Sequence, residues 1–325
     1  MTYLENSKQY TGTDLENIFF RPMLTGASAQ ELGVRVLYNM PQPTHIQLWD
    51  GQRNILQKFT SAGWTGGTPA TKKEKTVNLS RVKAELGFSA ADYFSMVYEK
   101  ITALANVNMD DLSGTDLEQA ETALFRQALA ENIRATMWVG NTAGASGYNT
   151  FDGFLKTITT QANDEAIYNF TYQESSLADP AYVVELFDKL WNKSDLRVQD
   201  LKADGQLAFF VTSDLCHLYE KYLDSKGADA AYTDTVNGRR TLAYHGIPVI
   251  DLRLGGYLTG TSYHQSFGML TDRRNLVLAV NTADMPGNEV RMWYNPDEME
   301  NRQRAVFMAG SQILDSSLIT YAYKQ

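Results

Sequence analysis

Apolar positions fall at helical spacing most clearly over residues 115–139, where Leu117, Leu124 and Ala128 form one stripe and Phe125, Leu129, Ile133 and Met137 the next. Together the stripes cover most of the circumference. Thr115 can cap the first turn while Glu118 reaches back to it, a Thr-x-x-Glu capping box. About 25 residues at 1.5 Å per residue would span roughly 37 Å, which suits the spine of a flat subunit as well as a plain core helix.

Further on, a helix is expected where Asp179 can cap and Pro180 takes the first position, with Val183, Leu186, Phe187 and Leu190 on its buried face. LAFFV (207–211) reads as a buried strand. A helix from about Asp214 then gathers Leu215, Leu218, Tyr219, Tyr222 and Leu223 on one face, and Gly227 is its natural stop. With GIPVIDLR (246–253) and NLVLAV (275–280) as short apolar strands, this alternation predicts a compact α/β unit over about 150–285.

The flanks are β-rich. Residues 1 to about 40 mix polar and apolar positions without a sustained period and end in the strand-like VRVLYNMP ahead of Pro41 and Pro43, so an extended arm is expected. HIQLWDGQRNILQKF (45–59) and TVNLSRVKAEL (76–86) are two β-rich stretches separated by SAGWTGGTPATKKEK (61–75), whose composition suits an exposed hairpin tip. Either an ordinary surface hairpin or an interaction arm fits it. At the end of the chain VRMWYN (290–295), RAVFMAG (304–310) and SLITYAYK (317–324) are strand candidates expected to pair as one sheet, with PDEMEN as the turn between the first two.

Composition narrows the function. The chain has 325 residues, 43% of them hydrophobic, enough to build a sizeable core. A formal net charge of -9 argues against a surface that grips phosphate backbones, so any DNA contact should be weak and general. Cys216 is the one cysteine, which excludes an intramolecular disulfide and a cysteine-based zinc site. The amino terminus carries no signal-peptide pattern and no stretch is long and apolar enough for a membrane span, so a protein made in the cytosol is expected.

Candidate chemistry is sparse. His45, His217, His245 and His264 are scattered and form no paired-ligand spacing, and Cys216 next to His217 would diverge from it on a helix. Gly144, Ala145, Ser146 and Gly147 lack the second glycine of a nucleophile elbow. No phosphate-cradling glycine motif is present. NVNMDDLSGTDLE (106–118) places Asp111 where a calcium loop needs glycine and Leu117 where it needs glutamate, so a helix-capping loop fits better. Trp64 beside Lys72, Lys73, Glu74 and Lys75 stands out differently: charges keep a hairpin tip wet, whereas an exposed tryptophan is typical of an interface anchor. Trp64, Lys72, Lys73 and Lys75 are therefore candidate assembly contacts, and no catalytic, cofactor-binding or metal residue is expected.

Several phrases resemble tailed-bacteriophage major capsid proteins, whose shell fold is shared with encapsulins: VGNTAGASGYNTFDGFLKTI (139–158), FFVTSDLCHLYEKYL (209–223), YHGIPVIDLRLGGYLTG (244–260), TDRRNLVLAVNT (271–282) and EVRMWYNPDEMENRQRAVFMAG (289–310). The resemblance implies an α+β phage major capsid fold. Its parts would be an amino-terminal arm (1–44), an extended loop (45–87), a peripheral domain with the spine helix (88–150 and 286–325) and an axial domain (151–285). It implies copies of the same chain in pentamers and hexamers of an icosahedral virion shell around double-stranded DNA, with no cofactor. Portal and decoration proteins are further expected partners, as is a separate scaffold, since the chain starts at Met1 almost directly with the arm. An encapsulin-like compartment is the alternative, set back by the length of the arm. A tail-tube or other virion part, and an α/β enzyme built from scattered residues such as Asp214, His245 and Asp251, are the other classes.

Overall fold

The structure is a computed structural model that describes residues 8–20, 33–40, 44–49, 72–89, 116–145, 147–161, 167–227, 232–236, 239–281, 288–295, 297–298 and 300–325. Its first sheet draws on both ends of the chain. β1 (Lys8–Tyr10) leads into a helical turn (Gly12–Asp14) and a wider π-type turn (Leu15–Phe20). Tyr10, Leu15 and Phe19 bury their side chains there, so these residues pack on their own subunit. After β2 (Arg35–Tyr38) comes a two-stranded ribbon, β3 (Thr44–Trp49) with β4 (Lys72–Val77), and then β5 (Ser80–Ser89). The second β-rich stretch of the sequence thus divides: only its first residues belong to the ribbon, and from Ser80 it pairs with a strand near the end of the chain.

The spine helix runs Asp116–Val139. Phe125, Leu129, Ile133 and Met137 are buried, as the periodicity requires, whereas the Leu124 and Ala128 stripe is only half-buried. Thr115, its expected cap, lies outside the described residues. Trp138 adds what periodicity did not single out. Its ring sits 5.2 Å from Phe154 and 5.8 Å from Phe210, joining the spine to both the next helix and the second sheet.

The spine ends where two backbones almost touch. A Cβ on Gly140 would stand 2.3 Å from the Phe151 carbonyl oxygen, and one on Gly153 would stand 2.6 Å from the Gly140 nitrogen. Gly153 N–H donates to Gly140 O at 2.8 Å, closing the loop that leads into the Phe154–Gln161 helix. Only glycine fits such an approach.

β6 (Tyr168–Tyr172) starts the second sheet, and the Tyr182–Asn192 helix follows with Val183, Leu186, Phe187 and Leu190 fully buried. That helix begins later than expected. Asp179 still caps the entry: its Oδ1 accepts from Ala181 N–H at 2.9 Å and its carbonyl from Tyr182 N–H at 3.0 Å, in the turn that leads into the helix. A short Leu196–Asp200 helix, β7 (Leu207–Val211) and the Ser213–Lys226 helix come next, the last stopped by Gly227 at φ 60°. β8 (Tyr232–Val236), β9 (Arg239–Tyr244), β10 (Ile247–Asp251), a one-turn Gly255–Leu258 helix and β11 (Phe267–Asp272) lead to β12 (Leu276–Asn281). β13 (Glu289–Asn295), β14 (Glu300–Ile313) and β15 (Thr320–Lys324) close the chain.

Strand pairing overturns two expectations. The last three strands do not form one sheet: β13 and β14 pair with each other, but β15 crosses over to lie between β6 and β11. NLVLAV does not join the α/β unit either. It is β12, paired with β14 and β2 in the other sheet. Among the described residues the two sheets run β1-β13-β14-β12-β2, with β5 also on β14, and β6-β15-β11-β7-β10-β9-β8. One shared core lies between the spine and both sheets, and a second fills the space under the Tyr182–Asn192 and Ser213–Lys226 helices. There Phe187 meets Phe209, Tyr219 and Tyr244 at 4.9, 5.3 and 5.3 Å. Burying a side chain of this kind is worth about 1.5–3 kcal/mol.

Candidate assembly surfaces

The β3–β4 ribbon is held at its root and pairs with no other strand among the described residues. Val77 and Leu79 pack with Ala279 of β12, with Leu37, Ile46 and Met308 against them. Outward from there, Ile46 lies opposite Lys75, Leu48 opposite Lys73 and Trp49 opposite Lys72. His45 Nδ1 stands 2.9 Å from a Glu74 carboxylate oxygen and 3.1 Å from Thr76 Oγ1, both across the strand pair. A two-stranded ribbon is marginal by itself in water, and the packing at its root is what orders this one among the described residues. Lys72, Lys73 and Lys75 belong to β4 itself, not to the tip where the sequence reading put them. Trp64 lies outside the described residues.

A clasp joins the spine helix to the loop after β10. Arg134 donates to Glu131 Oε1 and to the Leu252 carbonyl, each at 2.9 Å, and the Tyr257 hydroxyl donates to the same Glu131 oxygen. Burial alone would raise the Glu131 carboxyl, but the hydrogen bonds from Tyr257 and Arg134 and the charge of Arg134 outweigh it and hold it below the usual range. Tyr257 is raised by burial and by the Glu131 carboxylate. Arg253 sits beside this clasp, exposed and at φ 52°. Its backbone N–H donates to Asp251 Oδ1 at 2.9 Å, and its guanidinium has no hydrogen bond or ion pair among the described residues.

At the other end of β10 is a cleft of about 280 Å³ walled by Trp191, Phe209, Tyr244, His245 and Ile247, with Asp188 at its mouth. The Tyr244 hydroxyl donates to Asp188 Oδ1 at 2.7 Å, which together with burial raises the tyrosine above its ordinary value. Lys202 lines the cleft with its Nζ 5.1 Å from the centre of the Trp191 ring. His245 occupies the turn before β10 at φ 47°, its ring edge-on to Tyr244 at 4.4 Å. Spacing along the sequence carried no sign of this site beyond Asp188 and Trp191 falling one helical turn apart.

The three residues considered for an enzyme site do different work. Asp214 accepts from Ser266 Oγ, which also bonds the Tyr172 hydroxyl at 2.6 Å. Asp251 accepts from Ser213 Oγ at 2.8 Å, and His245 belongs to the cleft. Cys216 is buried, and burial pushes its thiol up to about 12. Among the described residues no group of three or more His, Cys, Asp or Glu side chains is placed to hold a metal, and no helix is long and apolar enough to cross a membrane.

No family model and no curated protein sequence matches this chain. Solved structures do. A chain of the satellite phage P4 procapsid including size determination (Sid) protein aligns with TM-score 0.58 and 9% identity, over 92% of this chain and 97% of that one. Gordonia phage Cozz aligns at 0.49 and 11%, over 90% of this chain and 85% of that one. The SrpI encapsulin complex of Synechococcus elongatus aligns at 0.46 and 9%, over 88% and 84%. The fold is of the phage major capsid type.

Proposed function

We propose that this chain is a major capsid protein, the repeating wall unit of an icosahedral shell around the double-stranded DNA of a tailed phage. The observation that carries the reading is end-to-end agreement with a procapsid chain, 92% of one covered by 97% of the other. The build of the subunit agrees with it: a 24-residue spine, two sheets sharing one core, and a two-stranded ribbon anchored at its root. Identical subunits can close into a shell because the same contacts repeat around rings, and burial shared among many copies offsets the cost of ordering a projecting ribbon.

In this reading residues 1–44 form an arm, 45–87 an extended loop carrying Trp64, Lys72, Lys73 and Lys75 to a neighbouring copy, and the peripheral (88–150 and 286–325) and axial (151–285) domains exchange two strands, β12 going to the peripheral sheet and β15 to the axial one that gathers in fives and sixes. The location is the virion, and the partners are copies of the same chain, a scaffold, a portal, a decoration protein and packaged DNA held weakly. Negative-stain microscopy of the purified chain, with sedimentation, tests the reading. Closed shells or five- and six-membered rings are expected; tubes alone, or a monomer even under crowding and with a scaffold supplied, would overturn it.

A further inference from the structure

Both ends of β10 hold a non-glycine residue in left-handed backbone, His245 at φ 47° before it and Arg253 at φ 52° after it. Such conformations cost about 1–3 kcal/mol and persist where the surroundings impose them. Here each displays a side chain. The His245 end opens into the Asp188 cleft, and the Arg253 end presents an exposed guanidinium whose charge reaches Glu131 but which makes no hydrogen bond or ion pair among the described residues. The five residues of β10 lie between the two turns that hold them, a strand of about 16 Å at 3.3 Å per residue.

The cleft suits the head of an arginine. At about 280 Å³ it falls just below the range of small-molecule pockets, about 300–1,000 Å³, and has room for one long side chain. Of its aromatic lining, Phe209 and Tyr244 are buried, and the partly exposed Trp191 is the ring on which a guanidinium can stack. Asp188 offers the charge: Oδ1 accepts from Tyr244, and Oδ2 has no partner among the described residues. Lys202 opposes a cationic guest; its Nζ rests against the Trp191 ring, and the carboxylate is met through Oδ2, since Oδ1 is taken by Tyr244.

We propose that Arg253 of one copy seats in the cleft formed by Asp188, Trp191 and Tyr244 of the next copy. Knob and hole lie at opposite ends of one strand, so the contact repeated in one direction is head-to-tail and can run round a ring. It deepens the shell reading above and rests on it.

The test uses the full chain as wild type, Asp188→Asn, Asp188→Arg, Arg253→Glu and the double variant Asp188→Arg with Arg253→Glu. Each is melted to verify folding, then followed by sedimentation velocity and negative-stain imaging. Asp188→Asn keeps an acceptor for Tyr244 and removes only the charge, so it guards against a variant that merely misfolds. Each single reversal is expected to cut the assembled fraction by about tenfold or more, and the double variant to regain most of it. Reversals that assemble like wild type, or a double variant no better than its parents, would overturn the contact while leaving the shell reading intact. A wild-type chain that never assembles would overturn both.

Discussion

The side-chain amide of Asn275 pairs with both backbone groups of Asp315: Nδ2 donates to the carbonyl at 2.9 Å, and Oδ1 accepts the N–H at 2.8 Å. Asn275 is buried at the start of β12, and Asp315 follows the end of β14, so this clamp locks the two strands at the point where the chain turns toward β15. Asn275→Ala would orphan two backbone groups at a buried site, each worth about 1–3 kcal/mol. A fall in urea midpoint with unchanged slope is expected; Asn275→Asp, which sets a buried carboxylate oxygen against the Asp315 carbonyl, should fall at least as far.

Two glycine sites should separate close approach from mere flexibility. Gly310 lies in β14 where the Asn78 carbonyl passes over it, and a Cβ there would stand 2.1 Å from that oxygen. Gly310→Ala forces the β4–β5 crossover away and should yield little folded protein. Gly256→Ala meets nothing within 4 Å and replaces glycine in a helical turn, so its melting temperature should hold or rise slightly, by the equivalent of about 0.4–1 kcal/mol.

Acid should loosen the spine clasp. The Glu131 carboxyl lies below its ordinary value in the folded state, so its contribution is fully present above about pH 4.3 and is lost as pH falls through the lower folded value. The difference in melting temperature between wild type and Glu131→Gln should therefore be largest near neutrality and shrink below about pH 4. Tyr257→Phe should lower the melting temperature at pH 7 without abolishing that trend, because Arg134 still faces the carboxylate at 2.9 Å. A difference that stays constant with pH would remove Glu131 from the acid response.

Cys216 should be inert in the native protein. It lies in the second core with a thiol pushed up to about 12, and the thiolate is the reactive form. Labelling by a disulfide reagent at about pH 8 should be slow and limited by unfolding, then rapid in denaturant. Fast native labelling would mean that the Ser213–Lys226 helix opens locally.

Helix faces were legible in the sequence because the 3.6-residue period is a local signal: Val183, Leu186, Phe187 and Leu190 emerge buried, as do Leu215, Tyr219 and Leu223. Sheet membership was not. A short apolar run marks β12 as a strand and β-branched and aromatic residues mark β15, but neither signal says which neighbour the strand will take, and tertiary packing sends both to the sheet their position in the chain disfavours. The same limit hid the cleft and the clasp. Asp188 and Tyr244 are 56 residues apart, and Glu131 and Tyr257 are 126 apart, so neither pair leaves a motif.

The ribbon offers the sharpest check on how copies hold one another. Its root is fixed within its own subunit by Val77 and Leu79, both buried, so changes further out should leave folding untouched. Trp64, in the Gly-rich stretch between the strands, would add apolar area to one subunit without burying it, whereas against a neighbouring copy it would serve as an aromatic anchor. Trp64→Ala should accordingly remain soluble with an unchanged melting temperature, yet raise the concentration needed for assembly by about tenfold or more, the usual scale of a lost anchor. Replacing Lys72, Lys73 and Lys75 together by Gln should act more weakly and mainly at low salt, since exposed charges contribute about 0–1 kcal/mol per pair and are screened. Normal-size shells at normal yield from Trp64→Ala would show that the ribbon is a surface feature of its own subunit and that the contacts between copies lie elsewhere.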